Sequence, residues 1–307
     1  AYTLFQRHLI HDPSDSQWLG RDRFILSCGH SSLTLYIQLY LSGYGLEMKD
    51  LESFRTWGSL TPGHPEFGHT AGVEMTTGPL GQGVATAVGM AMAARYERGL
   101  LDPDAPAQQS VFDHSIWVIC SDGDLQEGVS AEASSLAGTQ ELGNLNVIYD
   151  DNRISIEGDT HNAFTEDVSA RYRAYGWHVI DVAAAANGNV DLAALDAAMV
   201  AAKKETGKPT LIRMKSVIAW PAPKAQGTAG SHGSALGEDE IKATKVALGL
   251  NPDEHFAMPA DVLAHARLVK DRGAQLRAQW NTKFESWKAS NPDKATLLTR
   301  LQTRSLP

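Results

Sequence analysis

The chain has 307 residues, of which 43% are hydrophobic and 21% charged, a balance typical of a globular protein with one large or two ordinary domains. Lys and Arg number 27 against 36 Asp and Glu, and the formal charge of −9 argues against a general nucleic-acid-binding surface. No run approaches the roughly 18 apolar residues of a membrane-spanning helix, so we expect neither nucleic acid nor membrane as a partner.

The only cysteines are Cys28 and Cys120, which do not make a disulfide framework. Such cysteine-poor usage is compatible with the cytosol, and we expect a cytoplasmic protein. Residues 1–7 read as the middle of a helix, without a cap or an initiator Met. We therefore expect that some sequence precedes them.

The first third of the chain alternates short regular elements with irregular loops. Residues 21–27 predict a strand, which runs into a loop carrying His30 and then a helix from residue 33. His30 could donate a hydrogen bond to a phosphate at this strand-to-helix turn, or serve as an ordinary cap. Residues 49–57 predict another helix. Residues 61–69 contain two prolines and two glycines, which forbid regular structure around His64.

Residues 76–83 form a glycine-rich loop before a helix of small residues. It is no Walker motif, since no Gly-Lys-Ser/Thr follows, and no apolar strand precedes it as a dinucleotide fingerprint requires. Its backbone could contact a cofactor at Gly78, or the loop could be a simple tight turn.

A strand–helix–strand unit occupies residues 116–152. The apolar run 116–120 predicts a buried parallel strand that ends at Asp122 and Gly123, and the similar run 146–150 ends just before Asn152. Ligands of open parallel sheets bind at the carboxyl ends of the strands. A carboxylate and an amide oxygen suit Mg²⁺ or Ca²⁺ rather than zinc, although both residues are also common turn formers.

The remaining pattern completes the fold class. The alternation of helices and strands continues, with helical character at 167–175, a strand at 177–182, a helix with Leu192, Leu195 and Met199 on one face, and a strand at 210–215. We therefore predict an α/β fold, a doubly wound, mostly parallel sheet with helices on both faces.

A long loop at residues 219–237 carries His232, which could be functional or simply solvated. Residues 238 to about 301 are helical and polar, and Trp280 and Trp287, seven apart, are expected to pack rather than bind. We divide the chain into an α/β domain, residues 1–237, and a helical extension, residues 238–307.

The spacing from Asp122-Gly123 to Asp151-Asn152 resembles the thiamine diphosphate signature, which runs from Gly-Asp-Gly to Asn-Asn over about thirty residues. The chain departs from it at Ser121 and Asp151, and neither departure removes a ligand. The resemblance implies a metal, Mg²⁺ with Ca²⁺ as a substitute, bound by the side chains of Asp122 and Asn152 and the backbone carbonyl of Ile154.

Further blocks, at residues 21–30, 61–66, 76–83 and 174–179, are similar in order to those of transketolase, specifically its N-terminal, diphosphate-binding domain. The resemblance covers nearly the whole chain. It implies the thiamine diphosphate-binding fold and transfer of a two-carbon ketol unit from a ketose phosphate to an aldose phosphate, in the pentose phosphate pathway. Dihydroxyacetone synthase, another thiamine transferase, or a non-catalytic paralogue that keeps only the fold are the alternatives.

The resemblance also implies roles for individual residues. His30 and His232 would contact the diphosphate or the reacting centre, and His64 would face the thiazolium and the substrate hydroxyls. Gly78 and Leu80 would line the cofactor, and Gly123 would offer it a backbone donor. Glu127 and Glu132 would join a carboxylate network at the dimer interface.

Transketolases also carry a pyrimidine-binding domain, and this chain ends without one. We therefore expect a fragment of a longer transketolase or one subunit of a split enzyme, inactive alone. A homodimer partner or a separate pyrimidine-binding chain would complete the site, and sugar phosphates would be the substrates.

Overall fold

Five short strands form one all-parallel sheet in the computed structural model, which describes residues 1–305. The strands are β1 Arg23–Leu26, β2 Ile116–Ser121, β3 Leu145–Asp151, β4 His178–Val182 and β5 Thr210–Lys215. Their order across the sheet is β1-β2-β3-β5-β4. The predicted α/β class with a parallel sheet is therefore confirmed.

The helices are α1 Leu33–Ser42, α2 Met48–Glu52, α3 Gln82–Leu101, α4 Asp122–Gln126, α5 Gly128–Thr139, α6 Val168–Ala174, α7 Leu192–Lys204, α8 Gly230–Gly233, α9 Glu238–Ala247, α10 Ala260–Arg267, α11 Val269–Ser290 and α12 Pro292–Thr303. Single turns of 3₁₀-helix lie at Gly29–Ser31 and Thr160–Asn162, and a π-helical turn lies at Leu4–His8. None of the helices within the described 305 residues combines the length and the apolar character that crossing a membrane requires.

Helices cover both faces of the sheet, which explains why its strands are continuous apolar runs. Val118, Val147 and Leu211, on three adjacent strands, are fully buried in a core shared with α3, α5 and α6. The opposite face packs against α1, α7 and α10. A strand buried on both sides has no solvent face and so needs no polar alternation.

The register of the sheet places the carboxyl ends of β2 and β3 side by side. Ser121 pairs with Asp150. Ser121 directly precedes Asp122, and Asp150 lies two residues before Asn152. The glycine-rich loop that precedes α3 reaches the same edge, because the backbone N–H of Val84 donates to Ser27 Oγ just after β1 (3.1 Å). Residues from three separate stretches of sequence thus meet at one edge.

The C-terminal helices pack through aromatic side chains. Trp280 stacks on Phe284 with ring centroids 4.5 Å apart, and Trp287 meets Phe112 edge-on at 4.8 Å. The prediction that these two tryptophans pack is confirmed.

Three local predictions differ from the structure. The helix predicted at 49–57 is only α2, because the chain turns at Arg55, whose φ of 63° is left-handed. Leu192 is 60% exposed, since it lies in the first turn of α7, whereas Leu195 and Met199 are buried. The long loop at 219–237 contains the single helical turn α8.

Candidate functional site

Asp122 begins α4 directly after β2, and its side chain is only 3% exposed. The pKa of this carboxyl is raised to about 6, mainly by burial and to a smaller extent by the nearby carboxylates of Asp151 and Asp150. The phenolic O–H of Tyr149 donates to Asp122 Oδ1 and opposes the shift. The negative charge of this buried carboxylate is only partly compensated by hydrogen bonds. Binding of a cation would therefore stabilise its ionised form.

The chain turns sharply beyond β3, at the strand end next to that of β2, and the other two predicted ligands lie in this turn. The backbone N–H of Ile154 donates to Asn152 Oδ1 at 2.9 Å. Arg153 between them has a φ of 62°, which is uncommon for a residue with a side chain and costs of order 1 kcal/mol. The backbone N–H of Arg153 faces Asp122 and lowers the pKa of its carboxyl, so the turn lies beside the carboxylate.

A buried ion pair supports this corner of the site. Asp151 is 4% exposed, and Arg213 on β5 places both Nε and Nη2 2.7 Å from its Oδ2. The Tyr149 hydroxyl lies 3.5 Å from the other oxygen, Asp151 Oδ1. The phenol therefore lies between two carboxylates, one of which is already neutralised by an arginine.

The glycine-rich loop lies against the other side of Asp122. A Cβ placed on Gly123 would lie 2.7 Å from Leu80 Cδ1, closer than carbon atoms approach. A Cβ placed on Gly78 would lie 3.8 Å from His64 Cδ2. Gly123 with Leu80, and Gly78 with His64, are therefore spatial neighbours.

Three histidines converge near the same edge. The rings of His30 and His232 stack at a centroid distance of 5.2 Å and an interplanar angle of 27°. Burial lowers the pKa of His30, and the nearby His232 and His64 lower it further, while Asp124 opposes them. His30 and His232 are half-buried and His64 is exposed, so the cluster lines an accessible surface rather than the core.

Glu127 and Glu132 are not part of this cluster. Both side chains are exposed, on the α4–α5 junction and on α5, and neither forms a hydrogen bond or an ion pair within residues 1–305. The described residues also contain no group of three or more His, Cys, Asp or Glu side chains placed to hold a metal. A cation at Asp122 would therefore need further oxygen ligands, such as phosphate and water.

Sequence reasoning missed Asp124, which is fully buried beside the site. Its Oδ1 accepts from the Ser27 hydroxyl (2.7 Å) and the Gly81 backbone N–H (2.8 Å), and its Oδ2 from the Ser121 backbone N–H (2.9 Å). Ser121 and Asp124 have the three-residue spacing of a helix capping box, which α4 contains. That spacing was the signal available in the sequence; Tyr149 and Arg213 offered none.

The sequence profile of the family described as "Transketolase, thiamine diphosphate binding domain" matches residues 1–307. The transketolase of Mycobacterium leprae is 58% identical over 307 residues, which are 100% of this chain and 43% of that protein. The transketolase of Bacillus subtilis is 46% identical over 308 residues, 100% of this chain and 45% of that protein.

Solved structures show the same likeness. A transketolase from Pichia stipitis in complex with sedoheptulose 7-phosphate superposes with a TM-score of 0.91 at 44% identity, covering 99% of this chain and 44% of that one. A Campylobacter jejuni transketolase gives 0.88 at 44% identity, covering 97% and 44%. The chain thus spans less than half the length of the relatives that it matches.

Proposed function

The chain belongs to the family of transketolase thiamine diphosphate-binding domains, and we propose that it supplies the diphosphate- and metal-binding half of a transketolase active site. The observation that carries the proposal is the buried, incompletely compensated carboxylate of Asp122 beside the Asn152–Ile154 turn. In this proposal the α/β domain of residues 1–237 holds the site and residues 238–307 are its helical extension, of which 306 and 307 lie outside the described residues.

Asp122, Asn152 Oδ1 and the carbonyl oxygen of Ile154 would hold Mg²⁺, or Ca²⁺ in its place. These are hard oxygen donors, the class that Mg²⁺ takes alongside substrate phosphates and water. Their number leaves room for diphosphate oxygens on the same ion. The fit is supported by the oxygen-rich turn at Arg153 and by the raised pKa of Asp122, which a cation would bring back down.

Gly123, Gly78 and Leu80 would line the cofactor. The absence of a Cβ at Gly123 leaves its backbone N–H open to a diphosphate oxygen, with Leu80 packed against it. His30 is held neutral by its lowered pKa, so one ring nitrogen donates and the other accepts. His30 and His232 can then donate to the diphosphate or move a proton at the reacting centre, and His64 can face the substrate hydroxyls.

When bound, thiamine diphosphate supplies the electron sink that allows cleavage beside a ketose carbonyl and transfer of a two-carbon unit to an aldose phosphate. Residues outside this chain would complete the site, from a second copy or from a pyrimidine-binding domain or chain. The exposed carboxylates Glu127 and Glu132 would face that partner. We therefore expect no turnover of sugar phosphates by the 307-residue chain alone.

Calorimetric titration with thiamine diphosphate tests the proposal, in Mg²⁺, in Ca²⁺ and in a chelator. We expect binding that requires either cation and is competed by inorganic pyrophosphate, because the site holds the diphosphate end. Thiamine without its diphosphate is the matched control and should not bind. Heat that is absent, or indifferent to the cation, would contradict the proposal and favour a non-catalytic paralogue.

A further inference from the structure

Asp124 connects three segments that are far apart in the sequence. Its carboxylate joins Ser27 after β1, Gly81 before α3 and Ser121 at the end of β2. The Ser121 hydroxyl adds a bond to Oδ2 at 3.2 Å. Two oxygens thus accept four hydrogen bonds from three segments.

Each of these segments also carries residues of the proposed cofactor site. Ser27 lies three residues before His30, Gly81 directly follows Leu80, and Ser121 directly precedes Asp122. A movement of any one segment relative to the others would change the spacing between the histidines, the glycine-rich loop and the metal ligand. Asp124 itself is fully buried by protein and is not available to a ligand.

The arrangement favours an ionised carboxylate over a neutral amide. All four partners are donors, and an ionised Asp accepts only. An Asn at this position would keep one accepting oxygen, but its Nδ2 group would face the Ser121 backbone N–H. Two donors would then oppose each other, and no hydrogen bond could form between them. Asp124 forms no ion pair with Lys or Arg in the described part of the chain, so these hydrogen bonds are what compensate its charge.

Ser27 extends the connection to α3. Its hydroxyl donates to Asp124 and accepts from the Val84 backbone N–H, in the first turn of that 20-residue helix. Gly81, the residue directly before the helix, has a left-handed φ of 79°, and a Cβ placed on it would collide with Glu127 Cβ at 2.8 Å. Asp124 therefore fixes where α3 starts, and with it the position of the loop that contains Gly78 and Leu80.

We propose that Asp124 is a positioning residue that holds the histidine loop, the glycine-rich loop and the metal-binding strand end in one arrangement for the cofactor. The inference rests on the proposed function, since it concerns the same site. Asp124 acts through Ser27, Gly81 and Ser121 and touches neither metal nor diphosphate.

The test is Asp124→Asn in the 307-residue chain, titrated with thiamine diphosphate in saturating Mg²⁺. We expect at least about a tenfold loss of affinity, because bonds to a charged acceptor are lost. Ser27→Ala removes one of the four bonds and should give a smaller loss of affinity. It also keeps the question answerable if Asp124→Asn does not fold.

The matched control is Asp22→Asn. Asp22 is also a buried aspartate, 4% exposed, that accepts two backbone N–H bonds, from Ile10 (2.9 Å) and Ser115 (2.8 Å), but it lies before β1 at the opposite edge of the sheet. We expect it to lower the thermal midpoint while leaving the cofactor affinity within about twofold at a temperature where all variants are folded.

Each outcome decides one question. Wild-type affinity in folded Asp124→Asn, or an equal loss in Asp22→Asn, would overturn the positioning role and leave the proposed function intact. Absence of metal-dependent binding in the wild type would overturn the proposed function, and the inference with it.

Discussion

The amino ends of the parallel strands form one edge of the sheet, the amino edge, and their carboxyl ends form the other, the carboxyl edge. Both edges bury aspartates in similar ways, but these aspartates serve different purposes. At the amino edge, Asp22, directly before β1, accepts backbone N–H bonds from Ile10 in the N-terminal segment and from Ser115, directly before β2. At the carboxyl edge, Asp122, Asp124 and Asp151 are buried together, and only Asp151 has an arginine. Burial raises the pKa of both Asp22 and Asp122. The difference is that the carboxyl edge holds Asp122, whose negative charge is incompletely compensated and would be relieved by a cation.

Glycines mark the same contrast. At the amino edge, a Cβ on Gly143 would lie 2.0 Å from the Thr206 carbonyl oxygen, so its absence allows two backbones to pack. At the carboxyl edge, a Cβ on Gly123 would meet only the end of the Leu80 side chain. The first glycine serves the fold, whereas we propose that the second leaves its backbone N–H open to a ligand. The predictions below rank changes by their expected effect on cofactor affinity.

The largest effect is expected for Asp122→Ala. Loss of the one proposed carboxylate ligand should weaken metal-dependent binding of thiamine diphosphate on the order of 100-fold or more, measured by calorimetry. Asp122→Asn keeps the shape of the side chain and an acceptor for the Tyr149 hydroxyl. A similar loss of affinity in Asp122→Asn would therefore assign the effect to the missing charge. Glu132→Ala, exposed on α5, is the control and should bind like the wild type. Unchanged binding in Asp122→Ala would contradict the assignment of the metal site.

Acidification is expected to have the next largest effect. Because Asp122 has a raised pKa of about 6, protons compete with the cation below that pH, and affinity for Mg²⁺ should fall about tenfold per pH unit. A titration series from pH 7.5 to 5 measures this. Asp122→Asn should bind Mg²⁺ weakly, with an affinity that depends little on pH. A wild-type affinity that stays constant down to pH 5 would contradict the role of Asp122 in this pH dependence.

Without metal, the same group should act on stability with the opposite sign. The folded state of an acid with a raised pKa binds more protons than the unfolded state between pH 3.8 and about 6. The contribution of Asp122 to the free energy of unfolding therefore falls as pH rises through that window. Comparing denaturant unfolding of wild type and Asp122→Asn isolates this contribution.

A third, smaller effect is expected for Gly123→Ala. The new Cβ must displace Leu80 Cδ1 from 2.7 Å, which its flexible side chain can accommodate, but it also crowds the backbone N–H proposed to meet the diphosphate. We expect about a three- to tenfold loss of affinity with little change in the thermal midpoint. In the double variant Gly123→Ala/Leu80→Ala the new Cβ no longer collides with Leu80 Cδ1, so part of the packing lost in Gly123→Ala should be recovered. The contacts that the Leu80 side chain makes should stay lost. A loss of stability without a loss of affinity would assign Gly123 to the fold.

The carboxyl-edge half of this contrast could be predicted from the sequence, because it follows from short-range patterns. Apolar runs ending at Asp122 and before Asn152 gave two adjacent parallel strands, and their carboxyl ends gave the site. The end of α2 at Glu52 was not predicted, because the turn that follows depends on the left-handed Arg55, which lacks the usual Gly signal.

The supporting contacts could not be predicted in this way. Arg213 reaches Asp151 only because β5 inserts between β3 and β4, and nothing local to residues 210–215 specifies that order. The bond between Ser27 and Asp124 spans 97 residues. Such contacts depend on tertiary pairing, whereas ligand positions at strand ends depend on the alternation of elements.

The smallest effect on affinity is expected at the amino edge, for Gly143→Ala. The new Cβ would collide with the Thr206 carbonyl, a backbone atom that cannot rotate away, so the free energy of unfolding should fall by about 1–3 kcal/mol. Gly89→Ala is the matched control: in α3 nothing lies within 4 Å of its Cβ, and the same substitution should stabilise by about 0.4–1 kcal/mol. Urea unfolding gives both values, and calorimetry on the folded proteins should give cofactor affinities within about twofold of the wild type. A marked loss of affinity in Gly143→Ala would mean that the two edges are coupled through β2 and β3, and the division between a structural and a binding edge would have to be abandoned.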